Sequence, residues 1–167
     1  MIDGMYKDNI DALKDDWGRQ RPELNSEPMG IVLRIQSLAK LLGTQTSQRL
    51  DDFDLQWWQY DVLSALRRQG SPYVLAASEL AHEAMLTSGA MTNRIDRLEE
   101  AGLIKRLRDK LDGRRVLVKL TLRGRKLIDS ATDARFEVAT KAMRDLNVDQ
   151  KKQLDDLLRD LLSAQSN

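Results

Sequence analysis

The chain has no cysteine, a single histidine and three prolines, and each shortage closes off a class of chemistry or architecture. Without cysteine there is no disulfide framework, no thiolate nucleophile and no thiol redox sensor. His82 alone cannot complete a His/Cys zinc set or centre a nucleophile–base triad. No metal or cofactor is expected. A helical enzyme working through carboxylates would need acids converging on a cleft, whereas the Asp and Glu residues here fall mostly on outward helix faces. The longest uninterrupted apolar run, Tyr73 to Ala77, is far short of the roughly 20 residues of a membrane-crossing helix, so no membrane association is expected. The first eight residues lack the charged-then-apolar pattern of a signal peptide, which predicts a cytoplasmic protein. What remains is 41% hydrophobic and 32% charged in 167 residues, the composition of a helix-rich globular domain or one domain with a dimerisation extension.

The formal net charge of +1 conceals an uneven distribution. Between residues 87 and 126 twelve basic side chains face five acidic ones, while the rest of the chain holds fifteen basic against twenty-one acidic. A local excess of Lys and Arg is what phosphate binding requires, although a charge run can equally be a solvated face.

Hydrophobic spacing predicts helices interrupted once by strands. Residues 10–19 read as a short helix carrying Trp17, ended by the Arg21-Pro22 step. Ile31, Ile35, Leu38 and Leu42 give a second, longer helix over about 29–49. Asp54 is a candidate N-cap for a third, in which Trp58, Val62, Ala65 and Leu66 share a face before Gly70. Ser78 offers a cap for a brief helix reaching Ala84, and Thr87-Ser88 opens another in which Met91, Ile95 and Leu98 form one stripe before Gly102. Two helices joined by about three residues make a helix-turn-helix. Beyond Leu103 the period shortens, and Asp112-Gly113 is a hairpin signal between Leu107-Arg108 and Val116, Val118 and Leu120, a two-stranded β-wing with a basic tip. A long helix over about 121–146, a capping-box spacing at Asn147 to Gln150, and a last helix dense in leucine complete the chain. The predicted fold is therefore mainly α. A winged helix-turn-helix DNA-binding region spans 54–120, with an extra N-terminal helix at 10–19 and a helical dimerisation region formed from both termini, 1–53 and 121–167. The leucine-rich last helix points to a homodimer, with packing on the chain's own core as the alternative.

On a helical wheel the stripe of Met91, Ile95 and Leu98 lies opposite Gly89, Asn93, Asp96, Arg97 and Glu100. A recognition helix presents its first turns to base edges, where Asn reads adenine and Arg reads guanine. Thr87, Ser88, Gly89, Asn93 and Arg97 are the candidate DNA contacts, with Thr92 to one side, within reach of a phosphate or a thymine methyl. Arg114 and Arg115 at the wing turn are candidates for the narrow minor groove. Arg94 and Asp61 are placed differently, both on margins of apolar stripes, where charges must be paired, solvated or occupied by a ligand. Wheel geometry alone favours a plain ion pair between helices, and Trp17 alone reads as a packing anchor.

The stretches Asp61-Val-Leu-Ser-Ala-Leu, Met91-Thr-Asn-Arg-Ile-Asp-Arg-Leu-Glu-Glu-Ala-Gly-Leu and Asp109-Lys-Leu-Asp-Gly-Arg-Arg-Val-Leu-Val-Lys-Leu-Thr resemble the MarR family of dimeric winged-helix regulators. Trp17-Gly-Arg-Gln-Arg-Pro-Glu-Leu, Glu27-Pro-Met-Gly and Arg67-Arg-Gln-Gly-Ser-Pro-Tyr are similar to its PecS-like branch, whose members respond to urate. The resemblance implies a regulator, most simply a repressor, that binds an imperfect palindrome in double-stranded DNA as a homodimer. It also implies a site for urate or a related aromatic anion at Trp17, Asp61 and Arg94, with Arg106 as a fourth member. Two departures stand out: Trp57-Trp58 replaces small or polar residues and could reshape that pocket, and Arg123 replaces an acid common after the wing.

Overall fold

The computed structural model describes residues 7–109, 112 and 115–165. It resolves into two compact units, residues 1–45 and 46–167, with one long helix running from the first into the second.

In the amino-terminal unit, α1 (Asn9–Gln20) is opened by Asp8, whose carboxylate accepts the N–H groups of Ile10 at 2.9 Å and Asp11 at 3.0 Å. Asp11 returns the bond to the Asp8 N–H, a reciprocal cap that satisfies donors a helix start leaves orphaned. Arg34, on α2 (Ser26–Asp51), bridges Asp8 and Asp11 at 2.7–2.9 Å. Its guanidinium holds both carboxyls below the usual aspartate range. Met29, Ile31, Val32, Ile35, Leu38 and Leu41 of α2 remain exposed.

The second unit begins with the end of α2 and continues through α3 (Trp57–Arg68), β1 (Val74–Ala76), α4 (Ala77–Glu83), α5 (Ser88–Glu100), β2 (Ile104–Arg108), β3 (Val116–Leu120), α6 (Leu122–Ala142) and α7 (Val148–Gln165). The sheet order is β1-β3-β2, antiparallel throughout, with Leu75 opposite Val118 and Arg106 opposite Val118 on the other side. The wing hairpin thus has the two expected strands, and β1 adds a third at its base. Three residues are too few for alternation to reveal a strand, so Val74–Ala76 carry no strand signal of their own. The core is built where the helical stripes meet the sheet: Val62, Leu63 and Leu66 of α3, Leu80 of α4, Met91, Ile95 and Leu98 of α5, Ile104, Val118 and Leu120 of the sheet, and Ile128 and Ala131 of α6 are all buried.

Three helix limits differ from the sequence reading, each for a local reason. Asp54 does not cap α3. Its φ of 54° places it in the left-handed turn that closes α2, and the residue preceding α3 is Gln56, whose N–H is taken by the Gln59 side chain at 2.8 Å. Ser78 lies inside α4, which follows Ala76; the Ala76 N–H donates to Glu79 at 2.7 Å. Helix α6 stops at Ala142 because a tight turn through Leu146, bonded to Met143 at 3.2 Å, leads into the reciprocal Asn147/Gln150 cap of α7. No residue of α7 is buried, and Leu154, Leu157, Leu158, Leu161 and Leu162 stand exposed along it. Among the described residues no helix is long and apolar enough to cross a membrane.

The turn after α5, the end of β3 and the start of α6 meet in one close junction. Thr121 donates its N–H to the Leu103 carbonyl at 3.1 Å and its hydroxyl to the Gly102 carbonyl at 2.8 Å, while its side chain caps α6 through the Gly124 N–H at 3.0 Å. A Cβ on Gly124 would lie 2.0 Å from the Leu103 carbonyl oxygen, a backbone atom that cannot swing away. Gly124→Ala is therefore expected to cost about 2–3 kcal/mol by overpacking, read as a lower urea midpoint with unchanged slope. An unaltered midpoint would show that this contact relaxes freely.

Candidate functional site

Burial of Met91, Ile95 and Leu98 fixes the rotation of α5 and turns Ser88, Gly89, Thr92, Asn93 and Arg97 outward, all exposed. Thr87, the N-cap, is exposed and accepts the Ala90 N–H at 3.3 Å. The Thr92 hydroxyl gives its proton to the Ser88 carbonyl at 2.9 Å, leaving its oxygen to accept and its methyl to make apolar contact. Among the described residues no carboxylate lies within 4.0 Å of the Arg97 guanidinium. Arg115 lies in the turn between β2 and β3, directly before β3. Its guanidinium is 3.4 Å from Glu79 of α4 and 4.0 Å from Asp109, so the free basic tip expected at this position is partly neutralised from within. Arg114 falls outside the described residues.

On the opposite flank of α5, Arg94 lines a cavity of about 460 Å³ with Asp61 and Trp58 of α3, Leu80 and Glu83 of α4, and Ala84 just after it. The expected ion pair between Asp61 and Arg94 does not form: neither side chain has a charged partner within 4.0 Å among the described residues. Arg94 instead rests over the Trp58 ring, its guanidinium carbon 5.5 Å from the ring centroid. The Trp58 indole N–H donates to Gln56 at 2.6 Å. The neighbouring Trp57 has a different occupation. It donates to Ser47 at 2.8 Å, meets Tyr60 edge-on at 6.3 Å, and carries Arg135 on its face.

Trp57, Val62 and Ala65 of α3 also line the cavity, together with Arg68, which pairs with Glu83 at 3.1 Å. Neither member of that pair was singled out from the sequence as a site residue; Arg68 carried a signal only as part of the Arg67-Arg68-Gln-Gly stretch. Because that pair cancels its own charge, the cavity presents one uncompensated cation, Arg94, and one uncompensated anion, Asp61. Trp17 belongs to the amino-terminal unit, where it is half exposed on α1.

Arg106 is not brought to this cavity. It binds Asp96 and Glu99, three residues apart on α5, with its guanidinium, and its backbone N–H donates to Glu99 at 2.7 Å. Those contacts use the donors a ligand would need and tie the recognition helix to β2. The backbone N–H and the guanidinium of Arg106 hold the Glu99 carboxyl below the ordinary glutamate range against the opposing effect of partial burial. Among the described residues no group of three or more His, Asp or Glu side chains could hold a metal ion.

Comparison with known proteins places these features. Residues 55–116 match the MarR family. The chain is 28% identical to the transcriptional regulator PecS of Dickeya dadantii over 89% of its own length and 90% of that protein. It is 32% identical to the regulator FarR of Neisseria gonorrhoeae over 73% of this chain and 79% of that one. Among solved structures, a MarR mutant from E. coli complexed with operator DNA superposes with a TM-score of 0.68 at 25% identity, covering 80% of this chain and 96% of that one. NadR in complex with 4-hydroxyphenylacetate superposes with a TM-score of 0.63 at 29% identity, covering 78% and 91%.

The lowered Glu99 carboxyl has a sign. Its contribution to stability is complete above the ordinary glutamate range and is lost as pH falls through the lowered folded value. Arg106→Met keeps the backbone N–H and should remove only the guanidinium's share of that acid-sensitive component, so that urea midpoints of the variant and the parent draw closer in acid and separate at neutral pH. Parallel profiles would show that the pair contributes nothing to α5.

Proposed function

Because the chain belongs to the MarR family of transcriptional regulators, whose members are not enzymes, we propose that it is a cytoplasmic homodimeric repressor whose grip on its operator is weakened by urate or a similar aromatic anion. The observation that carries this reading is the double exposure of α5: one side offers Asn93 and Arg97 to solvent, and the flank carries Arg94 into the cavity. One helix is thus in a position to read DNA and to feel a ligand. Residues 54–120 form the DNA-binding region, with Thr87, Ser88, Gly89, Thr92, Asn93 and Arg97 in the major groove and Arg114 and Arg115 at the minor groove. The recognition helices of two copies enter successive major grooves of an imperfect palindrome, about 10–10.5 bp apart. The dimer draws on 1–53 and 121–167, and a second copy covers the exposed apolar faces of α2 and α7.

The ligand reading draws on the cavity's charges. Arg94 pairs with the anion and Asp61 accepts its N–H groups, both as charge-assisted hydrogen bonds. Trp17 enters as a stacking face on the PecS-like resemblance. NadR, a relative in fold, is itself seen with an aromatic anion.

The direct experiment titrates the purified protein against DNA from upstream of its own gene at one fixed salt concentration, with and without urate. Specific binding that urate weakens is expected, and binding that ignores urate would strike urate from the reading. Trp17→Ala and Asp61→Asn should each blunt the urate response while DNA affinity stays within about twofold; a full response in both would place the ligand elsewhere. Arg114→Ala should weaken binding to every sequence alike and reduce the slope of log affinity against log salt by about one, and an unchanged slope would remove Arg114 from the interface.

A further inference from the structure

The cavity holds a surface that the charges alone do not account for. Trp58 is half-buried in its wall, anchored at its N–H by Gln56, and the Arg94 guanidinium lies over its ring at 5.5 Å. Trp57, its neighbour in sequence, also lines the cavity, but its N–H is bonded to Ser47, it meets Tyr60 edge-on, and Arg135 lies on its face. Trp58, which packs against the core on its inner side, carries over its ring a cation that has no carboxylate within 4.0 Å among the described residues. Each partner in that stack thereby fills in for something else: the guanidinium stands where a planar ring would lie, and the indole stands where an anion would pair.

We infer that Trp58 is a specificity-determining residue of this cavity: a planar aromatic anion stacks on its indole as the ligand's charge takes Arg94 from it. The inference rests on the ligand reading above and adds to it a selection rule. Charge alone would admit any small carboxylate, whereas the indole face rewards a flat π-system over a saturated ring of the same charge and size. Because Trp58 is in the first turn of α3 and Arg94 is on α5, the same exchange breaks one tie between the recognition helix and its neighbour. Ligand shape is in this way read at the helix that meets DNA.

Calorimetric titration of the full chain with urate, benzoate and cyclohexanecarboxylate tests this. In the parent protein, urate or benzoate should bind about tenfold tighter than cyclohexanecarboxylate, the size expected of an aromatic stacking contact. Trp58→Leu should cut that preference by about threefold or more, leaving only the share that Trp17 supplies, and Trp58→Phe, which keeps a ring, should retain most of it. A preference that survives intact in Trp58→Leu, or is missing in the parent, overturns the role of Trp58 while leaving a ligand site in place. No binding of any of the three anions overturns the cavity reading and this inference with it. Should Trp58→Leu not fold, the chain carrying Trp17→Phe and Trp57→Phe reports Trp58 alone. Its emission should change on saturation with the aromatic anion, and an emission that stays constant while calorimetry registers binding overturns the inference.

Discussion

The function of this chain depends on one buried stripe. Met91, Ile95 and Leu98 are each about 1% exposed or less, and their burial against α3, α4 and the sheet decides which way every other side chain of α5 points. At roughly 1.5–3 kcal/mol per large apolar side chain, the stripe outweighs any single polar contact the helix makes. Rotation of α5 about its axis is therefore closed to regulation. A ligand can only shift or release the helix as a body, through contacts on its flanks.

The two arginines on those flanks are held very differently, and that difference separates a brace from a switch. Arg106 spends its donors on Asp96 and Glu99, and removing it would leave two carboxylates on the helix meant to approach phosphate. Arg94 has no carboxylate within 4.0 Å among the described residues and rests on the face of Trp58, a contact worth about 0.5–1 kcal/mol at a partly exposed site. A charge-assisted, bidentate hydrogen bond to an anion is stronger. The gradient thus runs from the indole toward a ligand for Arg94 and away from one for Arg106, although the resemblance implied the same role for both.

How far this was legible in the sequence follows from range. The helices, the helix-turn-helix and the outward face of α5 were readable because 3.6-residue periodicity and caps such as Thr87 and the Asn147/Gln150 box are local signals. The β1 strand, only three residues long and paired with residues more than forty positions away, left no periodic trace. Asp54 has the chemistry of an N-cap, but Leu50 bonds to Phe53 and Leu55 had already set a left-handed turn there. For the candidate site, a wheel could find Asp61 and Arg94 on the margins of their helices, since margin placement is also local. It could not show that they face one cavity without touching, that Arg68 and Glu83 neutralise each other beside them, or that Arg106 is turned toward α5. Those depend on the angle between elements, which no single stripe encodes.

The weakness of the Arg94–Trp58 contact also sets how strong regulation can be. A ligand shifts an equilibrium only by its differential affinity for the two states, and DNA must weaken the ligand by the same factor that the ligand weakens DNA. Exchange of a contact near 1 kcal/mol gives about a fivefold change at one site, because tenfold requires about 1.4 kcal/mol. A dimer that grips both half-sites at once feels the exchange twice, and two independent fivefold steps compound to about twenty-five. That range falls inside the few-fold to hundredfold span of ordinary allosteric couplings. A stronger latch, such as the Asp61–Arg94 ion pair that wheel geometry favoured, would hold α5 more firmly but would also resist the anion that has to break it. On the proposed reading, the unpaired arrangement would give up some rigidity in the free protein for sensitivity to a small ligand, and doubling in a dimer would restore the amplitude.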